Sequence, residues 1–276
     1  MRHLMRCTLA GLVALALGGL SNWANAGTLF IGTDTEEFGG LTTSYLFKAV
    51  VSGPNFVSEA AIPLNFPLNG IGDGPGFLYA GDPSTNTLRT IDYNGNLLTS
   101  TAGGFPSTCC NEEMQFAGGK LYHAHYVDNI QQIDPVTGAV LATFDQLNVV
   151  GMALVGGTIW ITHWSDQQVG IWDPVLNTFT PVFNTPQFAG ALAYDPGSNL
   201  LWVGQLGGMV LPYDLLGNLQ GPGFNAVSSF LPGISIDTVD GMTFQGEGQQ
   251  VPEPATVVLL GVALAGMGLA RRRKPN

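Results

Sequence analysis

Four polar residues recur at one offset along this chain. Asp82, His125, His163 and Gln205 each stand four positions after the first residue of a short apolar run, at Leu78, Leu121, Ile159 and Leu201. Two carboxylates share a second offset: Glu112 and Asp240 each precede a methionine, Met114 and Met242, by two positions, and Cys109 and Cys110 lie beside Glu112. Imidazole with carboxylate suits Zn, Fe or Mn, and carboxylate with carbonyl suits Ca²⁺. His125, His163, Glu112 and Asp240 are therefore the candidate ligands of a divalent metal ion. The competing reading is plain solvated polarity, with Glu112 and Glu113 as surface charge and His123 as a lining residue on the strand face of Leu121 and His125. No P-loop, GxSxG elbow, HExxH helix or paired CxxC occurs, so no catalytic residue is assigned. Gly72-Asp73-Gly74-Pro75-Gly76 precedes no helical pattern and reads as a turn.

The elements that carry these residues repeat. The last four of the aromatic-bearing runs Leu29-Phe30, Leu78-Tyr79, Leu121-Tyr122, Ile159-Trp160 and Leu201-Trp202 start 43, 38 and 42 residues apart. A second run ending in Asp92, Asp134, Asp173 or Asp214 follows each of those four, and then come turn residues rich in Asn, Gly and Pro. Four short strands per period of about 40 residues are the pattern of a β-propeller blade. The expectation is an all-β propeller of about five four-stranded blades over residues 27–246. A late inner strand near Gly241–Phe244 completes the first blade and closes the ring. A sixth, irregular blade in residues 221–236 and an all-β sandwich are the alternatives. In such a ring the starts of inner strands and the ends of second strands share a face. Asp82, Cys109, Cys110, Glu112, His125, His163, Gln205 and Asp240 would then gather at one mouth of the channel. Trp160, Trp172 and Trp202 read as blade core rather than a sugar platform, and Trp164, next to His163, as the exception. The repeats resemble the divergent blades of NHL-like and YVTN-like propellers.

The two ends read as targeting signals. Residues 1–26 combine Arg2 and Arg6, an apolar run and an A-x-A site at Ala24 and Ala26, the form of a cleavable signal peptide for the Sec machinery. Residues 247–254 read as a linker holding Pro252, Glu253 and Pro254. Residues 255–276 read as an apolar transmembrane helix with the basic tail Arg271-Arg272-Arg273-Lys274, whose charge favours the cytoplasmic side. That order of parts resembles the PEP-CTERM sorting signal. The resemblance implies processing near Pro252-Glu253-Pro254 by exosortase, with a transient inner-membrane anchor and delivery to the cell surface or exopolysaccharide matrix of a Gram-negative bacterium.

Charge narrows the partners. All 20 acids but only three of the nine Lys and Arg (Lys48, Arg89 and Lys120) fall in residues 27–254, leaving that body at −17 against −11 for the whole chain. Such a surface repels phosphate backbones, which argues against nucleic acid and leaves cations, polysaccharides or another surface protein. Cys109 and Cys110 are adjacent, open to a vicinal disulfide, an intermolecular bridge or free thiols, and cannot staple a loop. Three functions compete: a biofilm-associated binding module at the surface or in the matrix; an exported lactonase-like or lyase-like enzyme with a metal at the channel mouth; and a scaffold that keeps its membrane helix.

Overall fold

A computed structural model of the protein describes residues 26–33, 43–82, 85–103, 111–127, 129–234, 236, 238–239 and 241–249, without the side chains of 111, 112 and 249. The short alternating runs fold as strands because side-chain hydrogen bonds fix the turns between them. Asp92 Oδ1 accepts the N–H of Asn94 and Asn96, Asp134 that of Val136 and Thr137, Asp173 that of Val175 and Leu176, and Asp214 that of Leu216 and Asn218. Gly95, Gly138 and Gly217 then take the left-handed conformation that the hairpin requires.

Blade one begins with β1 (Gly27–Thr33), β2 (Tyr45–Ser52) and β3 (Asn55–Pro63). Blade two is β4 (Ile71–Asp73), β5 (Leu78–Asp82), β6 (Thr87–Ile91) and β7 (Leu97–Ala102). Blade three is β8 (Asn111–Ala117), β9 (Lys120–His125), β10 (Ile130–Ile133) and β11 (Val140–Phe144). Blade four is β12 (Val149–Val155), β13 (Thr158–His163), β14 (Gln168–Asp173) and β15 (Thr178–Asn184). Blade five is β16 (Ala189–Asp195), β17 (Leu200–Gln205), β18 (Met209–Tyr213) and β19 (Phe224–Asn225). The last strand, β20 (Gly241–Phe244), returns to pair with β1, giving the order β20-β1-β2-β3 and five four-stranded antiparallel sheets, a five-bladed propeller. The segment considered for a sixth blade instead supplies β19, the outer strand of blade five. No helix among the described residues is long and apolar enough to cross a membrane.

Alternation along each second strand feeds two inter-blade cores at once. On β9, Leu121 packs with Tyr79, Leu88 and Met114 toward blade two, whereas Tyr122 packs with Ile159, Ile161 and Trp172 toward blade four. On β1, Leu29 and Ile31 join Trp202 and Met242 between blades five and one, and Phe30 joins Ile71 and Leu78 between one and two. Each fully buried Leu, Ile or Phe contributes roughly 1.5–3 kcal/mol. Trp160, Trp172 and Trp202 are all buried in these layers, as core residues.

Around the axis the inner strands meet backbone to backbone. A Cβ on Gly72 would lie 2.1 Å from the Met114 carbonyl oxygen, on Gly151 2.4 Å from that of Gly190, and on Gly190 2.5 Å from that of Val239. Only glycine permits this approach.

Candidate functional site

Asp82, His125, His163 and Gln205 are the last residues of β5, β9, β13 and β17, so they occupy equivalent positions on one face of the ring, called here the upper face. Their side chains take different courses. The Asp82 carboxylate is buried, accepts the Thr85 hydroxyl and N–H, and pairs with the Arg89 guanidinium on the next strand of its own blade. The Gln205 amide donates to the Tyr213 hydroxyl at 3.0 Å, again within its blade. His163 stacks on Phe179 of the outer strand β15, with centroids 4.2 Å apart, and burial lowers its pKa. His125 is fully buried, with its ring 6.2 Å from that of His123. Burial, reinforced by His125, pushes the His123 pKa down to about 3. Trp164 stacks on Phe188 and meets Tyr126 edge-on, forming an aromatic rim on this face.

Cys109, Cys110, Asp240 and the side chain of Glu112 lie outside the described residues. Among the described residues, no group of three or more His, Cys, Asp and Glu is arranged to hold a metal ion. A cleft of about 460 Å³, lined by Lys120, Tyr122, Trp172 and Asp173 among others, opens between blades three and four at the opposite end of the strands from His125 and His163.

The chemistry on the channel axis belongs to residues that the repeat did not single out. Glu113, whose surface-charge reading fails, is 0 % exposed. Its Oε2 accepts the N–H of Met152 at 3.0 Å and of Leu192 at 2.6 Å, and its Oε1 that of Met242 at 2.8 Å. One side chain from blade three thus holds the inner strands of blades four, five and one. Two residues further along each of those strands, the N–H groups of Leu154, Tyr194 and Phe244 turn to the carboxylate of Glu247. Residues i and i+2 of a strand present their N–H on the same side, so the two carboxylates stack along the axis. Residues 247–249, expected in a linker, form a 3₁₀ turn with Glu247 buried in the ring. Asp73, expected in a turn, is also buried and accepts the Tyr93 hydroxyl at 2.8 Å and the Gly246 N–H at 3.0 Å.

Burial pushes all three carboxyls up. Asp73 rises to about 7 and Glu247 to about 8, the latter also raised by Asp73. Glu113 rises well above the carboxylate range because burial outweighs its three N–H donors, and Glu247 adds repulsion. The arrangement is a polar axle. The channel-facing edge of an inner strand has no further strand to pair with, and carboxylates satisfy N–H groups that would otherwise be orphaned.

The segment that follows Glu247–Gln249 bears on where the chain is sent. Residues 250–274 carry a PEP-CTERM protein-sorting motif. A PEP-CTERM signal implies export, a transient membrane anchor and processing by exosortase. No curated protein matches the chain. Similar solved structures include two computationally designed proteins. Ika4 has a TM-score of 0.38 at 14% identity over 56% of this chain and 90% of its own. Ika8 has a TM-score of 0.41 at 12% identity over 73% of this chain and 76% of its own.

Proposed function

We propose that the protein is a surface or matrix component whose propeller acts as a non-catalytic binding module for a polysaccharide or another surface protein. The observation that carries this reading is a PEP-CTERM motif beginning at residue 250, directly after a ring closed through Glu247. The aromatic groups of the upper face, Tyr126, Trp164 and Phe188, with the half-buried His163 beside them, are the natural recognition surface, because Glu113 and Glu247 occupy the channel axis. Intact-mass analysis of protein released from the native host tests the processing step. The mature chain is expected to begin at Gly27 and to end near Pro252-Glu253-Pro254, and to co-purify with the host's extracellular polysaccharide or with a surface protein. Finding Arg271 to Lys274 on the surface form would replace sorting by permanent anchorage. A metal retained by the purified protein, and lost when His125 and His163 are both alanine, would move the reading to a metal-dependent module at the upper mouth.

A further inference from the structure

We propose that, in the anchored precursor, the lower face of the propeller docks on the bilayer that holds the C-terminal segment. The proposal rests on the anchored reading of residues 250–274. The lower face is opposite Asp82, His125, His163 and Gln205, and it holds the hairpins after β6, β10, β14 and β18.

Both ends of the folded ring leave from this face. β20 runs downward and ends at Phe244, where its partner β1 begins, so the chain enters at Gly27 and departs after Gln249 on the same side. The departure point is fixed rather than loose. Glu247 is held by Leu154 and Phe244, and a Cβ on Gly248 would sit 2.2 Å from the Asp73 carbonyl oxygen. Five residues separate Gln249 from the apolar run that begins at Ala255. Fully extended, they reach at most roughly 18 Å. A propeller tethered so briefly at its axis must turn its lower face to the membrane.

The surface of that face fits the task. Among the described residues, four of the five most exposed large hydrophobics sit at its hairpin tips: Val175 at 89 %, Val136 and Leu216 at 79 %, and Leu176 at 70 %. Apolar groups on the described upper loops are less exposed, the foremost being Val127 at 55 %. The acids next to the lower tips do not spoil the apolar character, since Asp134, Asp173 and Asp214 direct their carboxylates to the N–H groups of their own turns. Apolar tips with satisfied carboxylates behind them suit the headgroup–acyl boundary of a zwitterionic bilayer better than an anionic one.

The test uses the full-length precursor in phosphatidylcholine vesicles containing a nitroxide-labelled lipid. Cys7, Cys109 and Cys110 are replaced by serine, and one fluorophore is placed on Val175→Cys or on Val127→Cys. A probe at position 175 should be quenched roughly twofold or more relative to position 127, as expected for tips at the boundary layer. Adding Val136→Asp and Leu216→Asp should bring position 175 to the level of 127, with vesicle flotation and melting temperature unchanged. Equal quenching at both positions in floating protein, or indifference to the two aspartates, would overturn the docking alone. A precursor that fails to float would overturn the anchored reading and the docking together.

Discussion

At the scale of single residues, Glu113 bears most of the ring's polar closure. Replacing it with alanine orphans the buried N–H groups of Met152, Leu192 and Met242. Each orphan costs about 1–3 kcal/mol, so Glu113→Ala should lose several kcal/mol in denaturant unfolding. Glu113→Gln keeps the oxygen facing Met152 and Leu192 and, like the protonated acid that burial favours, places hydrogen on the side of the Met242 N–H, so it should cost less than Glu113→Ala. Equal stability of both variants would show that water replaces the carboxylate, contrary to the axle. The sequence made this residue hard to find for a definite reason. Counting from Met114 and Met242 drew attention to Glu112, and strict alternation leaves Glu113 undecided. The register of β8 against β9 shifts between Asn111 and Met114, so a bulge decides which side chain turns to the axis. Glu247 lies beyond the last strand and has no counterpart in any repeat.

At the scale of elements, most of the architecture was legible, because each strand advertises itself twice. Leu121-Tyr122 and Ile159-Trp160 show the period, and Asp134 and Asp173 mark the hairpins after the third strands. The role of β20 was also readable, since Gly241–Phe244 is an inner-strand pattern with no blade of its own. Less visible was why the ring closes so tightly. Gly72, assigned to a turn, is in fact the β4 residue whose missing side chain admits the Met114 carbonyl oxygen. Gly72→Ala places a Cβ against backbone that cannot rotate away, and should cost about 3 kcal/mol or more, as overpacking against rigid partners does. A similar exchange at Gly118, where the added Cβ meets nothing within 4 Å, carries only the strain of a positive φ and should be milder. Comparing the two melting temperatures checks the claim; a loss at Gly118 as large as that at Gly72 would contradict it. Deleting β20 should abolish cooperative unfolding, because it strips β1 of its inner partner and the axle of two N–H donors.

At the scale of the whole molecule, acidity works on two levels that respond differently to pH. The body's formal charge of −17 counts buried carboxyls as well as exposed ones, and salt screens the exposed ones. Asp73, Glu113 and Glu247 are fully buried, out of reach of such screening. Asp73 and Glu247 have folded-state values raised to about 7 and about 8, from 3.8 and 4.5. Between those limits the folded state binds more protons than the unfolded chain, so stability must fall as pH rises. The contribution is complete below about pH 4 and lost above about pH 8. It amounts to at most about 4–5 kcal/mol for each of the two groups. Asp92, Asp134 and Asp214 act in the opposite sense. Hydrogen bonds in their turns lower their values, and the stability they add disappears as pH falls through the acid range. The two trends place the stability maximum at roughly pH 4–5 rather than at neutrality. Denaturant midpoints measured from about pH 4 to about pH 9 should therefore decline toward the alkaline side. Glu247→Gln should flatten much of that decline, while about 0.5 M salt should flatten only the part due to surface repulsion. A profile that rises from about pH 5 to about pH 8, or a slope abolished by salt alone, would mean that the axle carboxyls are ionised throughout and that surface charge governs the pH response.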